Sequence, residues 1–194
     1  MKSQAMIKVW DPLVRVFHWS LVIAFFTAYL TEDDFLTLHT WAGYTVLGLI
    51  VFRLLWGFVG SNYARFSSFV TSPRIAWQYF KDALLFRAKR FLGHNPAGGM
   101  MIVLLLISLL LTTLSGLAAY GAVESAGPLA GLGTIGELGE DMLKEVHEFF
   151  ANFTIMLVIV HVGGVIFESL AHRENLVRAM FNGYKQVERQ STAE

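Results

Sequence analysis

Four long apolar stretches, each bounded by segments where charge, glycine or proline returns, give the chain its pattern. They run near residues 14–30, 39–58, 98–120 and 149–170. A bilayer core of about 30 Å needs roughly 20 mainly apolar residues in a helix, and these four meet that length, the first only just. Residues 73–90 have a different pattern. Ile75, Ala76, Tyr79, Phe80, Ala83 and Leu84 recur at helical spacing, with Arg74, Gln78, Lys81, Asp82 and Lys89 opposite. That spacing predicts an amphipathic helix lying in the membrane interface, with Ser72 as its N-cap before Pro73. The expected fold is all-α: an integral membrane four-helix bundle with one cytoplasmic interfacial helix, forming a single domain over residues 1–194.

Composition agrees. Of the 194 residues, 55% are hydrophobic and only 15% charged, and mean hydropathy is +0.52. Soluble domains carry about 25% charged residues, so lipid is the expected solvent for much of this surface. Net charge is zero, which gives no indication of a nucleic-acid partner. There is no cysteine, which excludes disulfides, thiolate-held clusters and haem attached through C-x-x-C-H. The first apolar stretch lacks a small-residue cleavage site and carries Arg15 and His18, so it reads as a retained helix.

Charge distribution predicts orientation. Lys2, Lys8 and Arg15 precede or open the first span. Arg53, Arg65, Arg74, Lys81, Arg87, Lys89 and Arg90 lie at or after the inner end of the second. Arg173, Arg178, Lys185 and Arg189 follow the fourth. Fourteen of the fifteen basic residues thus fall on one side, leaving Lys144 on the other among nine carboxylates: Glu32, Asp33, Asp34, Glu124, Glu137, Glu140, Asp141, Glu145 and Glu148. The positive-inside rule places both termini in the cytoplasm of a bacterial inner membrane.

Six histidines follow, four of them in or at the ends of spans, where an unpartnered polar ring is costly. His147 and His161 are fourteen residues apart, about 21 Å along a helix and within about 40° of one face. With the predicted orientation, His39 shares the outer depth of His147, and His18 the inner depth of His161. A histidine alone is more often a hydrogen-bonded structural residue. Two depth-matched pairs are instead what two six-coordinate haems need. Arg53, fourteen residues after His39, and Arg15, one turn before His18, are candidates to pair a haem propionate. Gly43, Gly163 and Gly164 would let a macrocycle approach the backbone, or serve helix packing. Phe17, Trp19, Phe25, Phe26 and Trp41 are candidate pocket walls, and His94 and His172 are expected at the interface.

At these residues the chain resembles the bacterial cytochrome b561 and nickel–iron hydrogenase b-type cytochrome family. The resemblance rests on VWDPLVRVFHW, HTWAGYTVLGLIVFRLLWGFVG, GHNPAGGMM, LKEVHEFFANFTIMLVIVHVGGV and ENLVRAMFNGYK, in that order along nearly the whole chain. It implies a four-helix bundle holding two non-covalent haem b, with His18 and His161 ligating the inner haem and His39 and His147 the outer. It also implies electron transfer between the quinone pool and a periplasmic redox protein, such as an oxidoreductase subunit or a c-type cytochrome. The acidic outer loops would steer a basic c-type cytochrome. A superoxide oxidase passing electrons to quinone is the enzyme alternative: the acidic field opposes it and Lys144, near His147, favours it. A haem-free proton or metal transporter is a third reading, weakened because Glu168 is the one carboxylate near span depth. Candidate quinone positions lie near the inner haem, around His18, Arg53 and the amphipathic helix, or at the outer end.

Overall fold

The computed structural model describes residues 5–31, 35–132 and 136–187. Lys2, Arg189 and the acidic run 32–34, all counted for orientation, lie outside them. Four helices are long and apolar enough to span a membrane: α1 (Pro12–Leu30), α2 (Leu36–Val59), α4 (Pro96–Val123) and α5 (Glu137–Ala171). A shorter helix, α3 (Pro73–Leu84), separates the second and third spans, and α6 (Leu176–Asn182) follows the last. The chain is an all-α integral membrane protein. It also contains one small element that the apolar pattern does not predict: strands β1 (Ala5–Lys8) and β2 (Tyr184–Val187) pair antiparallel, Ala5 opposite Val187 and Lys8 opposite Tyr184.

Helix ends follow from local chemistry. Asp11 caps α1, its Oδ1 accepting from the Val14 amide at 2.9 Å, and Pro12 takes the first helical position, where no amide hydrogen is needed. Asn95 does the same for α4 through the Gly98 amide at 2.7 Å, and Asn175 for α6 through Arg178 at 2.7 Å. Ser72 stands at the N-cap of α3, but its hydroxyl makes no capping bond; its backbone carbonyl accepts from Ile75 and Ala76 instead.

The amphipathic helix stops at Leu84, six residues short of the expected end. Phe86 adopts φ 55°, while the Phe86 amide bonds to the Ala83 carbonyl and the Arg87 amide to that of Asp82. This is a Schellman ending with phenylalanine where glycine is usual. The end of α5 repeats it: Arg173 has φ 51°, with bonds from Arg173 to Leu170 and from Glu174 to Ser169. At its other end, α5 begins well before the apolar stretch. Its 35 residues reach about 52 Å, so its acidic first turns extend past a bilayer core of about 30 Å.

Contacts divide the chain into two units. One comprises the described residues of Trp19–Leu54 and Met101–His161, so it holds a length of every spanning helix. Ala24 and Phe25 of α1, Val46 and Ile50 of α2 and Leu109 of α4 form its core, with Ile155 and Val158 of α5 packed against them. Large apolar side chains such as Ile23, Leu55 and Ile159 are exposed along the spans, the arrangement lipid requires. Lipid gives apolar burial no advantage, so polar contacts help join the helices. The Tyr29 hydroxyl donates to Asn152 at 2.9 Å. Ser108 and Thr154 share a hydrogen bond of 2.6 Å, and Thr112 and Thr154 one of 3.2 Å.

The other unit comprises the described residues of Met1–His18, Leu55–Met100 and Val162–Glu194. Asp11 joins the start of α1 to the end of α2 by accepting from Ser61 at 2.5 Å and from the Trp56 indole at 3.3 Å. Val9, Trp10 and Ala179 form a second small core. Lys185 of β2 is buried and paired with Glu174 at 3.2 Å, and Glu174 also holds Arg90 at 2.8 Å. Burial lowers the Lys185 ammonium below the ordinary lysine value even though Glu174 opposes the shift.

Candidate functional site

His39, in the first turn of α2, and His147, in the third turn of α5, come together in the unit that holds the end of α1 and the start of α2. Their ring centres are 5.9 Å apart and the ring planes perpendicular. Each ring is fixed by a backbone oxygen. His39 Nδ1 lies 2.9 Å from the Ala28 carbonyl of α1, and His147 Nδ1 lies 2.9 Å from the Thr112 carbonyl of α4. A carbonyl can only accept, so Nδ1 carries the hydrogen in both rings and Nε2 keeps its lone pair for a metal. Two imidazoles on opposite sides of one metal ion, with bonds of about 2.0 Å, have ring centres about 6 Å apart. The observed spacing fits that demand, and the donor set, two neutral imidazoles without a thiolate, suits haem iron.

Helix α4 closes against this pair. A Cβ at Gly116 would lie 2.7 Å from His147 Cε1, so the ring occupies space that any other residue would fill. Ser115 Oγ approaches His147 Nδ1 at 3.4 Å. At Gly43, one turn beyond His39, a Cβ would meet nothing within 4 Å, and the same holds for Gly163 and Gly164. Thr154, fully buried, stands two turns from both His147 and His161 on the same helix, within the Ser108–Thr112–Thr154 hydroxyl cluster.

His161 is half-buried in α5 within this unit. His18 is half-buried in α1 and belongs to the other. Arg53 is only 3% exposed although it lies in a spanning helix. A guanidinium so placed is costly without an anionic or carbonyl partner. Arg15 donates through Nη1 to the Phe181 carbonyl, tying α1 to the end of α6. His94 packs between Trp10 and Phe69, with ring centres 4.5 and 4.7 Å away. His172 pairs with Glu168 at 3.2 Å.

Sequence reasoning missed Gly116, Thr154 and the Ala28 and Thr112 carbonyls. The run TTLSGLAAYG was the available signal for α4, since small residues in a span mark close helix approach. A backbone carbonyl carries no such mark.

Curated relatives align over most of the chain. A protein of Azotobacter vinelandii named "Probable Ni/Fe-hydrogenase B-type cytochrome subunit" is 24% identical over 217 residues, covering 95% of this chain and 90% of its own length. A protein of the same name from Rhizobium leguminosarum bv. viciae is 23% identical, covering 90% and 87%. Another, from Cupriavidus necator, is 29% identical over 146 residues, covering 69% and 59%. No solved structure gives a significant match. The family model described as prokaryotic cytochrome b561 matches residues 9–183. That span takes in all four membrane helices and all six histidines, and the chain therefore belongs to the prokaryotic cytochrome b561 family of membrane electron-transport proteins that bind b-type haem.

Proposed function

We propose that this chain carries electrons across the bacterial inner membrane between the quinone pool and a redox protein at its outer face. Two non-covalent haem b serve the transfer, one held by His39 and His147 and the other by His18 and His161. The observation that carries the reading is the first pair: two imidazoles 5.9 Å apart, each with Nδ1 committed to a carbonyl. The second pair rests on depth along the helices and on the family pattern.

A bound haem supplies one-electron chemistry, its iron changing charge by one unit. The residues of the chain determine the rest. The Ala28 and Thr112 carbonyls keep each outer imidazole in one tautomer and orientation, which tunes the ligand field. Held by two histidines, the iron would be suited to electron transfer and not to oxygen chemistry. The buried Arg53 offers its guanidinium to a propionate of the inner haem. The apolar spans exclude water around both.

The relatives' names support an oxidoreductase of the hydrogenase kind as one class of outer partner; a basic c-type cytochrome is the other, on the charge of the outer loops alone. Glu137, Asp141, Glu145 and Glu148 are exposed ahead of and beside His147 and would steer a positively charged partner. Both termini are cytoplasmic in this reading, following fourteen of the fifteen basic residues.

The test is a haem count on the purified protein, with a redox titration. Two haems per chain and two titration steps are expected. His147→Ala should remove one step and His161→Ala the other. A colourless protein, or one whose single step survives both substitutions, overturns the proposal.

A further inference from the structure

The last turns of α5 and the helix α6 border a mainly apolar groove of about 700 Å³ that lies outside the histidine pairs. Ser169 Oγ donates to the Val165 carbonyl at 2.7 Å and receives the Leu176 amide at 3.4 Å, which fixes the start of α6 to the end of α5. Arg173, at φ 51°, makes the left-handed turn between them. Ile166 and Leu170, one turn apart on α5, then share the groove with Val177 and Phe181, one turn apart on α6. All four side chains are exposed, Leu170 by 74%. Val162, one turn before Ile166, is exposed too. An apolar stripe of about 12 Å therefore leads along α5 into the groove.

Two arginines, Arg173 and Arg178, also line it. Both are exposed, and among the described residues neither pairs with a carboxylate. The acidic residue in the wall, Glu174, is committed elsewhere: its Oε1 lies 2.8 Å from Arg90 and its Oε2 3.2 Å from Lys185. It leaves the two arginines unneutralised, and its own charge is offset by its partners. Like charges lining one groove repel until an anion shares them. Arg173 stands two residues past the end of a spanning helix, the level at which hydrocarbon gives way to phosphate. Guanidinium binds phosphate oxygens through paired N–H donors, a contact that an uncharged headgroup cannot match.

We infer that this groove binds an anionic glycerophospholipid, its phosphate held by Arg173 and Arg178 and an acyl chain lying against Ile166, Leu170, Val177 and Phe181. The inference needs only the membrane fold and stands apart from the electron-transfer reading. A choline or ethanolamine cation would meet the same two arginines, which selects against zwitterionic lipids. The bound lipid bridges α5 and α6, so it should stabilise the folded chain by mass action.

The test uses the full chain in a non-ionic detergent, washed free of lipid and then offered dioleoyl phosphatidylglycerol or dioleoyl phosphatidylcholine in separate samples. Native mass spectrometry should show the wild type retaining phosphatidylglycerol at least about fivefold more than phosphatidylcholine, and phosphatidylglycerol alone should raise its Tm. The double variant Arg173→Gln/Arg178→Gln should retain the two lipids alike. Its Tm without lipid should match the wild type, because neither guanidinium supports the fold through an ion pair. Val177→Glu, which puts a carboxylate at an exposed position of the groove, should also lose the preference. Arg74→Gln, an exposed position on α3 outside the groove, should keep it. Equal retention of both lipids by the wild type, or a preference that survives in the double variant and in Val177→Glu, overturns the inference. So does an equal loss in Arg74→Gln, which would make the preference one of overall charge. A lipid-free wild-type dimer that Val177→Glu dissociates would assign the groove to a second copy of the chain instead.

Discussion

At position 116 a methyl group would sit 2.7 Å from the ring of His147, a distance that forces the imidazole to move. Gly116→Ala is therefore expected to reduce occupancy of the outer haem several-fold while the inner haem persists, which a haem count and difference spectrum would report. Thr154 makes a different kind of contribution. Its hydroxyl bonds Ser108, Thr112 and the Phe150 carbonyl, so Thr154→Val should cost about 1–2 kcal/mol, read as a lowered Tm in detergent. Asp11 carries the pH dependence. Burial alone would raise its carboxyl, but hydrogen bonds from Ser61, Val14, Trp56 and Leu13 outweigh it and hold the carboxyl below its ordinary value. A carboxylate lowered in the folded state stabilises above its unfolded pKa of about 3.9, and that contribution is lost as pH falls through the folded value. Thermal stability should decline below about pH 4, less steeply in Asp11→Asn. The approach of His39 to His147 was legible in sequence, because each was expected at the same end of its span. Gly116 and Thr154 were not, because their importance depends on which face of α4 meets α5.

Among the elements, the spans were readable from apolar length, but α1 and α4 start two residues before the expected 14 and 98, at Pro12 and Pro96, because Asp11 and Asn95 cap helices that begin on proline ahead of the apolar run. The end of α3 was not readable, whereas α5 ends at Ala171, one residue past the expected 170. Both close in the left-handed conformation on residues that rarely adopt it, Phe86 and Arg173, so the usual glycine signal is missing. Arg173→Gly should therefore stabilise the protein by a few tenths to about 1 kcal/mol, measurable as a raised Tm. Gly183 is the contrasting case. It ends α6 at φ 88°, and a Cβ there would lie 2.6 Å from the Trp10 carbonyl. Gly183→Ala should lower stability by about 2 kcal/mol or more. The strands were invisible for another reason: AMIK and YKQV are four residues each, with no turn between them to announce a hairpin.

Across the whole molecule, charge separates the two ends of the spans. The end bearing His39 and His147 carries exposed carboxylates with Lys144 among them, so the rate of haem reduction by a basic c-type cytochrome should fall about tenfold as salt rises into the physiological range. Rapid reduction by superoxide, with no response to such cytochromes, would favour the oxidase alternative instead. The clasp of β1 with β2 has a consequence for how the protein is made. Its first strand precedes all four spans and its second follows them, so the pair can close only after every span has left the ribosome. Pairing across so long a separation adds little until the intervening helices are in place to shorten it. The helix lengths bearing His39, His147 and His161 can thus assemble before the two strands are joined.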